Sequence, residues 1–102
     1  SFKGALGHAF AASGAFQVIG TALALEHQFI PPTLHLTDPD PECDLDYVAM
    51  KGRATRIRRA LINSFGFGGK NIVLALSHVN AMTPQDLFLQ GSEWDAIHQH
   101  SV

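Results

Sequence analysis

Residues 9–25, AFAASGAFQVIGTALAL, carry no charge, and their apolar side chains go round the whole helical circumference. Such a segment predicts a buried helix, because a surface helix keeps a polar face toward water. Ala11, Ala12, Ser13, Gly14 and Gly20 are small, so neighbouring main chain can approach closely. A membrane span needs about 20 strongly apolar residues. This run is shorter, rich in Ala and Gly and interrupted by Gln17, so no span is predicted. Glu26-His27-Gln28 closes the helix, and Pro31-Pro32 prevents its continuation.

Thr33–Leu36 predicts a short extended piece, and Tyr47–Met50 has room for a short strand. The Asp- and Pro-rich stretch between them, 37–46, reads as loop. Arg58–Asn63 leads into one strand and Asn71–Leu76 forms another, joined across Phe65–Lys70 as a hairpin-like pair. The unbroken apolar run in the later strand predicts burial on both faces, as in a layered α/β protein. Thr83 and Pro84 suit the N-cap and first position of a helix. Leu87, Phe88, Trp94 and Ile97 would form one apolar side of irregular turns around Gly91. A helix apolar on every side must be covered on every side, which two strands and some loops cannot do at this length. The chain is therefore expected to dimerise extensively or to belong to a larger body.

Composition narrows the options. The 102 residues, 46% apolar with a formal charge of −2, permit one small domain and give no charge-based reason to expect nucleic acid or an acidic substrate. Asp38, Asp40, Glu42, Asp44 and Asp46 alternate along one stretch, and Lys51, Arg53, Arg56, Arg58 and Arg59 follow. Acid then base reads as two solvated surfaces flanking a turn, although a basic cluster can also steer an acidic carrier protein. Cys43 is the only cysteine, so no internal disulfide forms and nothing points to an oxidising compartment. Ser1 follows no basic or cleavable leader and reads as a processing point or a fragment edge, with the cytoplasm as the expected location.

The candidate chemistry lies at two places. His8 stands just before the apolar helix, where a neutral imidazole can donate one hydrogen bond to a carbonyl that is becoming an enolate. Lys3, five residues upstream, would favour a developing oxyanion beside it. Ser64-Phe-Gly-Phe-Gly-Gly69 is a turn whose glycines let main chain come close to a ligand, and its N–H groups suit one side of an oxyanion hole. Gly69-Lys70 is not a phosphate loop, because Ser64 and Asn71 stand where that signature needs Gly and Ser/Thr. Cys43, between Pro41-Glu42 and Asp44, reads as structural, since acidic surroundings do not suit an anionic nucleophile. His98 and His100 lack further ligands at metal spacing, so no metal site is expected.

Together the motifs Lys3-x4-His8 with GHAFAASGAF, Glu26-His-x-Phe-Ile-Pro-Pro-Thr33, Asp38-Pro-Asp-Pro-Glu-Cys-Asp-Leu-Asp-Tyr-Val48 and Asn63-Ser-Phe-Gly-Phe-Gly-Gly-Lys-Asn71 resemble the C-terminal portion of the β-ketoacyl-acyl carrier protein synthases. The likeness is to the chain-elongating type II enzymes and their polyketide relatives, and covers about residues 1–78. Residues 79–102 depart from the usual ending and are expected to be a helical or irregular extension. The resemblance implies the C-terminal half of a thiolase-like fold, layered α-β-α-β-α, with the apolar helix buried centrally.

It further implies a decarboxylating Claisen condensation of malonyl-carrier protein with an acyl thioester, in fatty-acid or polyketide synthesis. His8 matches the histidine that hydrogen-bonds the malonyl thioester carbonyl, and Lys3 the lysine that organises charge around it. Phe67 matches the oxyanion-hole residue whose ring gates the acyl pocket, with Phe65, Gly66 and Gly68 in the same pocket loop. The implied partners are acyl carrier protein, the remaining N-terminal half of the synthase and a second subunit, as homodimer or ketosynthase heterodimer. No cofactor is implied beyond the carrier's phosphopantetheine. The nucleophilic cysteine belongs outside these residues, so this chain alone is expected to be inactive. Two departures stand out: the family's Gly-Ala-Ala-Gly run is here Ala11-Ala12-Ser13-Gly14, and Gln17 replaces a common glutamate. The second allows an alternative, a non-catalytic partner subunit akin to a chain-length factor.

Overall fold

The computed structural model describes residues 1–81 and 99–100. A one-turn helix, α1 (Lys3–Leu6), ends at Gly7 and is followed by a 3-10 turn over Phe10–Ala12 and the main helix, α2 (Ser13–His27). Two short strands, β1 (Phe29–Ile30) and β2 (Arg53–Ala54), pair antiparallel. The long hairpin is β3 (Arg59–Gly66) with β4 (Lys70–Ser77), in register from Arg59–Ser77 to Gly66–Lys70. A last strand, β5 (Gln99–His100), runs parallel to β3 opposite Leu61 and Ile62, giving the order β4-β3-β5. Val79–Ala81 forms a 3-10 turn, whereas the helix expected from Thr83-Pro84 lies outside the described residues.

α2 begins four residues later than the apolar run suggested, because Phe10 adopts a left-handed φ of 49° that no α-helix accommodates. It ends as expected. Gln28 turns left-handed at φ 52°, and its amide takes over the role of a continuing turn. Gln28 Nε2 donates to the carbonyls of Leu25 at 2.6 Å and Ile57 at 3.0 Å, while Oε1 accepts the Ile57 N–H at 2.8 Å. At the other end of α2, a Cβ built on Gly14 would lie 3.8 Å from Ser64 Oγ. Gln17 Nε2 reaches the Asn63 carbonyl at 3.5 Å. Contacts Gly14–Ser64, Gln17–Asn63 and Gln28–Ile57 therefore run in opposite senses along the two chains, and α2 lies antiparallel to β3.

A second junction holds the loop segments. Thr33 Oγ1 accepts from the Ser1 ammonium at 2.7 Å and donates to the Tyr47 carbonyl at 2.6 Å. Its N–H donates to the Val48 carbonyl at 2.8 Å, and its own carbonyl accepts from Met50 N–H at 3.0 Å. The extended pieces expected at Thr33–Leu36 and Tyr47–Met50 thus meet, but as a single parallel bridge, Thr33 to Ala49, rather than as strands. Phe2 packs its ring across α2 at Gly20, where any Cβ would come within 2.8–3.1 Å of ring carbons.

Burial bears on two expectations. As the shortage of covering elements implied, this chain does not cover α2 on every side: only Leu25 of this helix is buried, and Ile19 is 57% exposed, because β3 and Phe2 cover one part of its circumference and the rest faces outward. β4 is not buried on both faces either. Among the described residues it is paired on one side only, and Ile72, Val73 and Leu74, which alternate between the two faces, are all exposed. Among the described residues the buried set is Leu25, Val48 and Ile62, with Asn63 as its polar member. An open apolar strand edge is a template for pairing. Gel filtration of the 102-residue chain is expected to show concentration-dependent association, reduced by Ile72→Lys with Leu74→Lys; a monomer at every concentration would contradict this.

Candidate active site

The antiparallel course of α2 against β3 carries the start of the helix to the end of the hairpin where the glycine turn lies. The ladder closes at Gly66–Lys70, so the main chain of Phe67, Gly68 and Gly69 lies beyond it. Gly68 and Gly69 sit at φ 77° and 75°, where a Cβ is disfavoured, which explains the paired glycines physically. Phe65 and Phe67 both project to solvent, Phe67 at 96% exposure. The expected gate is therefore a ring on a hairpin tip, and His8 and Phe67 share an end of the molecule with neither a hydrogen bond nor a ring contact between them.

His8 follows Gly7, whose φ of 75° ends α1 and whose N–H returns to the Lys3 carbonyl at 2.9 Å. The left-handed Phe10 turns its main-chain N–H back to His8 Nδ1 at 2.8 Å, and the two rings lie 4.9 Å apart. A main-chain N–H can only donate, so Nδ1 is the acceptor and the proton of the neutral ring resides on Nε2. The imidazole consequently offers one outward hydrogen-bond donor. Ser13 Oγ lies 3.2 Å from the same Nδ1.

Lys3 and Gln17 line one small cleft together with Ser13 and Phe16. Gln17 directs its amide N–H to the Asn63 carbonyl, a partner that a carboxylate would repel. Cys43 is an exposed free thiol in the acidic loop. Among the described residues no cluster of three or more His, Cys, Asp or Glu is placed to hold a metal, and no helix is long and apolar enough to cross a membrane. His98 lies outside the described residues.

Residues 1–37 match the model of the β-ketoacyl synthase C-terminal domain. The 3-oxoacyl-[acyl-carrier-protein] synthase 2 of Synechocystis is 48% identical over 75 residues, 74% of this chain and 18% of that protein. Its namesake in Mycobacterium bovis is 55% identical over 73 residues, 72% of this chain and 18% of the relative. Over most of its length this chain belongs to the β-ketoacyl synthase family. Among solved structures it resembles a chain of AntDE:AntF, a type II polyketide acyl-carrier protein in complex with its ketosynthase bound to the hexaketide. That likeness has a TM-score of 0.75 at 39% identity and covers 78% of this chain and 19% of the other. The described elements are thus the C-terminal part of a thiolase-like α/β fold, and the chain spans 18% of the length of the two curated synthases.

The synthase-like motifs singled out His8, Lys3 and the glycine turn as candidates, but not the groups that contact the imidazole. Phe10 acts through its main chain, which leaves no trace in residue type. Ser13 had a signal, a hydroxyl five residues after a histidine, that reads equally well as a small helix residue. Nothing lies within 4 Å of a Cβ added at Gly68 or Gly69, so substitution there meets conformational cost alone. Gly68→Ala is expected to cost about 1–2 kcal/mol, and Gly68→Asn less, in denaturant unfolding; equal stability of all three would refute the left-handed turn.

Proposed function

We propose that this chain forms the C-terminal part of a β-ketoacyl-acyl carrier protein synthase and supplies the enolate-stabilising half of its active site. The observation that carries the reading is the His8 ring, held by Phe10 so that Nε2 bears the proton, at the same end of the fold as the glycine turn. The family membership supports it.

In this reading an acyl group rests on a cysteine supplied from outside these residues. The carrier-bound malonyl thioester loses CO2: its C–C bond to the carboxylate breaks, and that electron pair becomes the enolate. His8 Nε2–H donates to the thioester oxygen as negative charge develops there, and Lys3 adds positive potential nearby. The enolate carbon then attacks the acyl carbonyl. The resulting oxyanion is met by the Phe67 main-chain N–H, and collapse expels the cysteine sulfur. Gly66 and Gly68 let the turn approach, while Phe65 and Phe67 border the acyl pocket. Substrates arrive on a phosphopantetheine arm, so no further cofactor is required. The assembly is a homodimer or a ketosynthase heterodimer in the cytoplasm, completed by the synthase's N-terminal half.

Gln17 favours a second reading, a non-catalytic subunit that shapes a partner's acyl pocket, since its amide is tied to Asn63 rather than supplying a carboxylate to Lys3. The two separate on the nucleophile position, where cysteine supports the enzyme and an inert residue the partner.

In the completed synthase, His8→Ala is expected to lower CO2 release from malonyl-carrier protein by about 100-fold or more while acyl loading persists. Unimpaired decarboxylation would overturn the assignment. The 102-residue chain alone is expected to take up no acyl group; mass spectrometry finding a stable adduct on Cys43 would contradict the external nucleophile.

A further inference from the structure

We infer that Ser13 is a positioning residue for His8, supplying a second donor to the imidazole nitrogen that faces away from substrate; this rests on His8 being the enolate-stabilising histidine. Two observations combine. Phe10 N–H lies 2.8 Å from His8 Nδ1, and Ser13 Oγ lies 3.2 Å from the same atom. Since the main-chain N–H must donate, Nδ1 carries no proton. Ser13 therefore cannot be the acceptor in its contact with the ring. Its hydroxyl donates, and Nδ1 receives a three-centre bond whose shorter arm is Phe10 and longer arm Ser13.

The surroundings of the hydroxyl agree. Ser13 is the first residue of α2, a place where a Ser side chain commonly serves a nearby main-chain N–H. Here the cap residue is Ala12, no side-chain cap bond forms, and the neighbouring hydroxyl is directed at the imidazole. The 3-10 turn of Phe10–Ala12, closed by Ala12 N–H to the Ala9 carbonyl at 3.0 Å, folds the chain so that residues five apart meet.

Each arm does a different job. One donor settles which nitrogen bears the proton but leaves the ring free to rock about that bond. A donor from a second direction restricts the rocking and keeps Nε2–H aimed at one point. Charge stabilisation in a transition state depends on such pre-set alignment. The effect belongs in turnover, because the bond to oxygen strengthens as the enolate forms, and much less in substrate binding.

The test uses the intact synthase labelled with 15N-histidine, the His8 resonances being assigned by their loss in His8→Gln. Ser13→Ala is expected to shift the His8 Nδ1 resonance away from its hydrogen-bonded position. The same change should lower kcat for malonyl decarboxylation about 3- to 10-fold, with KM altered less than about 2-fold. Ser13→Thr, which keeps the hydroxyl, should restore both. An unmoved Nδ1 resonance with unchanged kcat in Ser13→Ala overturns the proposal, as does an equal loss in the Thr variant. A synthase without any decarboxylation would refute the functional reading instead, and the resonance alone would then decide the role of Ser13.

Discussion

The antiparallel seam between α2 and β3 is the constraint on which the other features depend. Between Gly14 and Gln28 a helix advances about 21 Å at 1.5 Å per residue. Between Ser64 and Ile57 an extended chain covers about 23 Å at 3.3 Å per residue. The two lengths agree, so contacts can be made at both ends of the helix at once. One end is clamped by the Gln28 amide, which pairs with Ile57 as a strand's main chain would. The other delivers the imidazole and the hairpin tip to a common place.

What is assembled there is a directional arrangement rather than a charged one. The His8 ring is oriented by donors on its inner nitrogen, one from main chain in a left-handed conformation and one from a hydroxyl. A left-handed non-glycine residue is uncommon and costs about 1–3 kcal/mol. At Phe10 that cost goes into turning one N–H around. Across the gap, the glycine pair turns main chain outward by the opposite device, the absence of side chains. The Asp46–Arg53 ion pair, exposed and at 2.6 Å, takes no part in this geometry and contributes little to stability.

Much of this was legible from residue types. An uncharged apolar run ending at Glu26-His27-Gln28 marked α2, and two apolar segments around a glycine turn marked β3 and β4. His8, Lys3 and Phe67 stood out as candidates because ordered motifs carry them. The rest was hidden for physical reasons. The φ of Phe10 depends on the interactions of its main chain, not on its ring. Gln28 reads as an ordinary helix-ending polar residue, although its amide stitches together segments 29 residues apart. Burial was misjudged for β4 because apolar periodicity reports the surface that must be covered. It does not say whether the cover comes from the same polypeptide.

The pairing of Phe29–Ile30 with Arg53–Ala54 closes the intervening loop at its neck. One residue inserted in α2 would turn everything beyond it by about 100° and displace it by 1.5 Å, spoiling the match with β3. The same residue added among Asp38–Asp44 would only widen a loop whose two ends are already tied. Evolutionary drift in length thus has a safe outlet in the acidic stretch, and the spacing that aims the imidazole is insulated from it.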